Sequence, residues 1–398
     1  MGRSPESNPF TPGFGNLPRV FAGRKAEFSD LELMVNRLAA GVYEQPRLVT
    51  GDRGVGKTTL LREFEEEQTE AGRWVVRAAA TRGDAVIRRL ARELGRVLED
   101  RDSRVGLSRQ AAAALGRLSG VEVAGVSVAL NPPQAEPEDR AAQLAELLGN
   151  VGELAREERT VALLLIDEAQ NISPRAIADL FFAIQEAQSR TWTSVDAASR
   201  ARVRHATPLG VVVAGLPGLV AHLQRAGSTF GERSKPVPLQ AFDEADVREG
   251  LAAFADAGGA AFDAEAVDLV VEASGGYPYF LHVVGSHVWN AGSGTVITAD
   301  EARTGIAAAR NYLDAFYEER LRELTAAQRR YVDAAAALPT PERSAGAVAA
   351  ALGTSSRQLA STWQALTGRH GLLRSAGGRG RFAFTLPGLD AYLRRTSL

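Results

Sequence analysis

Apolar residues gather in short unbroken runs over the first part of the chain. Arg47-Leu48-Val49-Thr50, Trp74 to Ala78, Val161 to Ile166 and Leu209 to Ala214 read as strands, and Val237 to Leu239 as a short fifth. Amphipathic stretches separate them. Residues 26–40 place Phe28, Leu31, Leu33, Met34 and Leu38 at helical spacing, and residues 84–99 do so with Val86, Leu90, Leu94 and Val97. Continuous apolar strands alternating with helices predict a parallel sheet covered on both faces. Residues 82–160 are a long excursion between the second and third strands. It ends in a helical stretch over 138–157 and carries VEVAGVSVAL (121–130), which reads as a hairpin around Ala124-Gly125 closed by Asn131-Pro132-Pro133.

After residue 240 the periodicity is helical. Asp243 is placed to cap a helix over 244–256, and Asp263 another over 264–274. Thr298 and Glu301 form a capping-box pattern opening a helix to about residue 315. The last segment, 321–398, reads as a winged helix-turn-helix. A first helix spans 326–337 with Tyr331 and Val332 apolar, and Ser344 caps a second to Leu352. Gly353-Thr354 turns the chain, and Ser355 to Thr367 is the candidate recognition helix, with Leu359, Trp363 and Leu366 facing inward. Leu372–Arg374 and Arg381–Phe384 are the wing strands. At the other end, residues 1–20 hold Pro5, Pro9, Pro12 and Pro18, which reads as an extended arm tacked down by Phe10 and Phe14.

Composition narrows the chemistry. With 398 residues, two or three domains are expected. The absence of cysteine excludes disulfides, thiolate nucleophiles and cysteine-bound zinc, and the five histidines show no ligand spacing. His282 and His287, five apart on a helix, read as unremarkable. No run is long enough to span a membrane, and the first residues lack the apolar core of a secretory signal, so a soluble, cytoplasmic protein is expected. The net charge of −2 hides an asymmetry. Residues 325–398 carry ten arginines against Asp333, Glu342 and Asp390, a formal +7, which leaves −9 on the rest. That contrast points to a nucleic-acid-facing tail. Arg357 and Gln358 on the recognition helix, and Arg379 and Arg381 on the wing, are the candidate contacts with duplex DNA.

Gly51-Asp52-Arg53-Gly54-Val55-Gly56-Lys57-Thr58 fits GxxxxGK[ST] and sits between a strand and a helix. Glycines let backbone N–H groups turn inward around phosphate oxygens, and the helix N-terminus adds positive potential. Lys57 is expected to reach the β- and γ-phosphates of ATP, Thr58 to ligate Mg²⁺, and Thr59 to lie in the same first turn. The strand from Val161 ends in Asp167-Glu168-Ala169-Gln170. Asp167 is the expected Mg²⁺ partner and Glu168 the base that activates water. Ser173-Pro174 then reads as a helix start.

These residues resemble the AAA+ ATPases. Phe21-Ala22-Gly23-Arg24 is similar to that family's box ahead of the phosphate loop, which makes Arg24 a nucleotide-site residue. Asp167-Glu168-Ala169-Gln170 resembles its acidic motif, and Gly275-Gly276-Tyr277-Pro278-Tyr279 falls where its second sensor lies. With the C-terminal winged helix, the likeness is to the origin-recognition and archaeal initiator branch. It implies an arm (1–20), a nucleotide-binding domain (21–240) with the inserted 82–160 segment, a helical lid (241–320) and a winged helix (321–398). It also implies ATP and Mg²⁺ as ligands, a homo-oligomer, and an arginine donated in trans, with Arg233 first and Arg225 second. Two departures stand out. The fourth strand ends in Ala214-Gly215-Leu216-Pro217, where the family has a polar first sensor, and Tyr279 stands where it has an arginine. Two functions follow as expectations. One is ATP hydrolysis coupled to DNA binding or remodelling. The other is a slow nucleotide-gated switch acting on a protein partner, for which 82–160 offers a surface. Residues 189–206, rich in arginine, read as a basic solvated loop.

Overall fold

The computed structural model describes residues 2–13, 17–81, 85–99, 107–120, 137–378 and 380–396. The hairpin read at 121–130, Phe14 and Arg379 lie outside them. The chain forms two compact units, Arg24–Thr50 with Leu60–Pro238, and Met1–Gly23 with Gly51–Thr59 and Leu239–Leu398.

In the unit built on Leu60–Pro238, the strands are β1 (Arg47–Gly51), β2 (Trp74–Ala79), β3 (Ala162–Asp167), β4 (Thr191–Val195), β5 (Arg202–Ala206), β6 (Leu209–Gly215) and β7 (Lys235–Leu239). The helices are α1 (Lys25–Ala39), α2 (Lys57–Glu70), α3 (Ala85–Glu99), α4 (Arg109–Ser119), α5 (Pro137–Glu157), α6 (Pro174–Ser189), α7 (Leu219–Arg225) and α8 (Phe230–Arg233). Five strands form one sheet in the order β2-β3-β6-β1-β7. The β2–β3, β3–β6 and β6–β1 pairings are parallel, so the C-terminal ends of these strands share one edge.

Every residue of β3 and β6 is buried, as their unbroken apolar sequences require. Leu147 and Val151 of α5 and Ile177, Leu180 and Phe181 of α6 share their core. Each such side chain contributes roughly 1.5–3 kcal/mol through burial. Gly210 lets α1 approach, since a Cβ there would lie 3.1 Å from Leu38. Leu33 departs from the amphipathic reading: it is 52% exposed, because the buried face of α1 is Leu31, Met34, Val35 and Leu38.

A second correction concerns 189–206. The segment is an antiparallel hairpin, β4 with β5, in place of the expected loop. Trp192 stacks on His205 with ring centroids 4.0 Å apart, which supplies the apolar contact that holds the pair.

The other unit is helical after β7. It contains α9 (Glu244–Ala257), β8 (Ala261–Phe262), α10 (Ala264–Ser274), α11 (Pro278–Asn290), β9 (Val296–Ile297), α12 (Ala299–Arg322), α13 (Ala326–Ala337), α14 (Ala345–Ala351), α15 (Ala360–Gln364), β10 (Leu373–Ser375), β11 (Phe382–Phe384) and α16 (Leu389–Thr396). Asp243, Asp263, Thr298 and Ser344 each accept the backbone N–H three residues on, which fixes four helix starts.

The first residues pack onto these helices. Phe10 is buried, its ring centroid 4.8 Å from that of Phe254. The Arg3 guanidinium donates to Glu301 at 2.7 Å and to the Trp289 carbonyl at 3.0 Å. His282, read as unremarkable, is in fact buried here. Its Nδ1 accepts the Thr11 N–H at 3.3 Å, and burial pushes its pKa down to about 4.

Candidate functional site

The phosphate loop leaves the C-terminal end of β1 and enters α2. Gly54 (φ 87°) and Gly56 (φ 93°) adopt the left-handed region, which glycine reaches without steric cost. Gly54 is needed twice over, because a Cβ there would also come within 3.0 Å of the Tyr277 ring. Lys57 is buried, and its ammonium donates at 2.7 Å to the carbonyls of both Gly51 and Asp52. Val55 is buried beneath the loop, and Thr58 and Thr59 lie in the first turn of α2. Inward-turning glycine backbone, a buried ammonium and the N-terminus of a 14-residue helix suit the phosphates of a nucleoside triphosphate.

The compact unit that joins Gly51–Thr59 to Leu239–Leu398 holds contacts that sequence reading missed. The Tyr277 hydroxyl donates to the carbonyl of Arg53. Burial raises the pKa of that hydroxyl, so it stays a donor across the physiological range. Tyr279, the position expected to carry the second sensor, instead stacks on Phe316 at 5.1 Å. Arg53 lies 3.8 Å from Glu323, and a Cβ on Gly371 would come within 3.3 Å of the Asp52 carboxylate. Burial pushes the Asp52 carboxyl above its ordinary value, opposed by the charges of Lys57 and Arg374.

In the sheet unit, Asp167 ends β3 and is 2% exposed. Its Oδ1 accepts the Glu168 N–H at 2.8 Å. Glu168 has φ 55° and ψ 35°, the left-handed region, at a cost of roughly 1 kcal/mol for a residue with a Cβ. Strain of this kind persists where the surroundings over-determine it. Asp167 fixes the Glu168 backbone, and Gln170 Nε2 donates to its carboxylate. Among the described residues no three His, Cys, Asp or Glu side chains gather around one point. Arg24 is buried at φ 63°, its guanidinium 3.1 Å from Glu27.

Residues 20–195 match the family described as AAA ATPase domain. Over its whole length the fold is similar to the ORC2 protein of Aeropyrum pernix in its ADP form, at 13% identity and a TM-score of 0.54, covering 100% of this chain and 99% of that one. The Orc1 protein of the same organism, solved in complex with DNA, aligns at 15% identity and a TM-score of 0.43, covering 100% and 97%. The Holliday junction branch migration motor RuvB of Thermotoga maritima aligns at 15% and 0.45, covering 94% and 95%. Residues 314–393 match a domain of unknown function, DUF8462. No curated protein matches the chain.

The candidate arginine in trans has a definite place. Arg233 ends α8, two residues before the start of β7, and is exposed. The Lys235 N–H donates to the Pro46 carbonyl at 2.8 Å, beside the start of β1. Arg233 therefore lies at the N-terminal edge of the sheet, and Glu168 at the opposite edge. A cavity of about 190 Å³ lined by Tyr43, Pro46, Gln185, Phe230 and Arg233 opens there. Arg225, the second choice, ends α7.

Residues 321–396 hold three helices and a strand pair in the expected order, and α16 follows the strands as an element the sequence reading lacks. The candidate recognition helix is shorter than read: α15 spans Ala360–Gln364 and continues as a π turn over Ala365–Arg369. Arg357 and Gln358 lie ahead of it in a turn. Gln358 Oε1 accepts from the Thr354 hydroxyl at 2.6 Å and from the Ser355 hydroxyl at 3.1 Å, a local network that competes with helix. Arg381 forms a bridge with Ser344, and its guanidinium donates to the Pro341 carbonyl. Several other arginines of this segment have carboxylate partners. Arg343 reaches Asp390 at 2.7 Å, Arg329 reaches Asp333 at 2.9 Å, and Arg395 reaches Asp314 at 2.6 Å. Arg330, Arg357, Arg369 and Arg374 are exposed. No described helix is long and apolar enough to cross a membrane.

Proposed function

We propose that the chain binds ATP with Mg²⁺ and hydrolyses it, and that nucleotide state governs its hold on duplex DNA through a C-terminal winged helix-turn-helix. The observation that carries the reading is the buried Lys57 ammonium, held by two loop carbonyls where α2 begins. Lys57 and the N–H groups of 51–59 bind the phosphates, with Arg24 supporting the site. Thr58 and Asp167 hold the ion, which supplies charge neutralisation on the phosphate oxygens. Glu168 orients a water and takes its proton as the water oxygen bonds to the γ-phosphorus. The bond from that phosphorus to the β–γ bridging oxygen breaks, and ADP leaves with phosphate.

Arg233 lies at the far edge of its own sheet from Glu168, so it serves the site of a second copy. The division into arm (1–20), AAA domain (21–240), lid (241–320) and winged helix (321–398) follows this reading, as does a protein-facing role for 82–160. DNA binding rests on the +7 charge of 325–398.

One observation favours a second reading, a slow switch acting on a protein partner. Arg329, Arg343, Arg381 and Arg395 are engaged within the protein, which lowers the charge left for phosphates. Steady-state hydrolysis of Mg-ATP, with and without duplex DNA at fixed salt and several protein concentrations, separates the two. Stimulation by DNA and a rate rising faster than protein concentration support the first. Tight ATP binding with flat, negligible turnover supports the second.

A further inference from the structure

The strand that adjoins β3 ends without a polar side chain: Ala214, Gly215, Leu216 and Pro217 follow one another. The polar function at that place comes from Gln170, on the short turn Ala169–Asn171 that follows Glu168. Its amide is fixed at both ends. The Leu216 backbone N–H can only donate, and it donates to Gln170 Oε1 at 3.1 Å. This sets the amide orientation, so Nε2 faces outward as the donor, and it donates to Glu168 Oε2. Gly215 makes room for the bridge, because a Cβ there would come within 2.8 Å of Gln170 Oε1. The turn itself is anchored. Asn171 Nδ2 donates to the Ala80 carbonyl at 3.2 Å, and the Asn171 N–H to the Glu168 carbonyl at 2.9 Å.

From this chain of contacts we infer that Gln170 is the positioning residue for Glu168. It ties the Glu168 carboxylate to the end of β6 and leaves Oε1 of Glu168 for the attacking water. A shift of the Leu216 backbone moves the Gln170 amide, and with it the Glu168 carboxylate. Hydrolysis is therefore coupled to the position of the β6 end by a side-chain amide. The inference rests on the hydrolytic reading of Glu168 given above.

Two substitutions separate positioning from structure. Gln170→Met keeps length and packing but removes both hydrogen bonds. Gln170→Glu keeps an acceptor for the Leu216 N–H but sets an oxygen against the Glu168 carboxylate. Both are expected to lower kcat for Mg-ATP at least tenfold, with KM and ATP affinity within about twofold of the parent; both also lower the melting temperature, so turnover is compared at a temperature where every variant is folded. In single-turnover hydrolysis, Gln170→Met added to Glu168→Gln is expected to cost nothing further, since the group being positioned is gone. Unchanged kcat in Gln170→Met, a rise in KM in place of a fall in kcat, or losses that multiply in the double variant would each overturn the inference. Turnover by Glu168→Gln at the parent rate removes the base assignment itself. Full loss in Glu168→Gln with no effect in Gln170→Met removes only the role of Gln170.

Discussion

The hydroxyl of Tyr277 donates to the backbone carbonyl of Arg53, joining the start of α11 to the middle of the phosphate loop across 224 positions of sequence. The loop is thus pinned from outside as well as by its own lysine. Tyr277→Phe keeps the ring against Gly54 and removes only the donor. It is expected to weaken ATP binding about fivefold, the equivalent of about 1 kcal/mol for one buried hydrogen bond. Calorimetric titration of both proteins checks this, and equal dissociation constants would show that the pin does not shape the loop.

Lys57 has two jobs that a single substitution exposes together. Lys57→Ala removes the positive charge meant for phosphate and leaves the Gly51 and Asp52 carbonyls without their donor. ATP affinity is expected to fall at least a hundredfold, and stability by about 1–3 kcal/mol. Nucleotide titration and thermal melting measure the two effects separately. Retained ATP affinity would overturn the loop assignment.

Glu168→Gln keeps the size of the side chain and its strained backbone, but loses the base. Hydrolysis is expected to drop at least a hundredfold, in line with a general-base contribution of 10²–10⁴, while ATP stays bound. Rapid filtration of bound labelled nucleotide after one hour distinguishes ATP from ADP. Recovery of mostly ADP would argue for another base.

His282 makes the seat of the N-terminal residues acid-sensitive. Its folded pKa of about 4 lies below the ordinary 6.5, so the unfolded chain binds more protons between those values. Stability is therefore full above about pH 6.5 and declines as the pH falls toward 4, by up to about 3 kcal/mol from this group. Denaturant melts across that range should show the slope, and His282→Leu should flatten it. A parent protein with no such slope would contradict the burial of the neutral ring.

Arg343 is 4% exposed and its carboxylate partner is Asp390, at 2.7 Å. Burial alone would raise the Asp390 pKa, but Arg343 and Arg394 hold it below its ordinary value. Asp390→Ala leaves a buried guanidinium without its counter-charge. A loss of about 3–5 kcal/mol in the C-terminal segment is expected, read as earlier melting followed by Trp363 fluorescence. A melting curve that superposes on the parent would contradict it.

The parts legible in sequence are those fixed by local chemistry. Asp243, Asp263, Thr298 and Ser344 announce helix starts because each side chain satisfies a backbone N–H three residues away. β3 and β6 announce themselves because both faces are buried. The phosphate loop is equally local. The β4–β5 hairpin escaped because most of its residues face solvent and the stacking of Trp192 on His205 joins its two strands across the ladder. Helix α12 runs past residue 315 because Phe316, Tyr317 and Leu321 carry on its buried stripe, hidden in sequence among Glu318, Glu319, Arg320 and Arg322. The start of α15 was misplaced because Thr354, Ser355 and Gln358 satisfy one another in a turn. Tyr277 and Gln170 were passed over for a different reason. Tyr277 acts on the Arg53 carbonyl and the Gln170 amide is set by the Leu216 N–H, and backbone atoms leave no trace in residue identity.

The separation of Arg233 and Glu168 on opposite edges of one parallel sheet gives the molecule a polarity. Two copies related by a twofold axis would present like edges to each other and complete neither site. On the trans role proposed for Arg233, copies stacked head to tail would complete one site per junction, so an open row would always keep one unfinished member at its end, and only a closed ring would have none. Specific activity would then report the geometry of the assembly, rising with the length of the row and reaching its ceiling at closure.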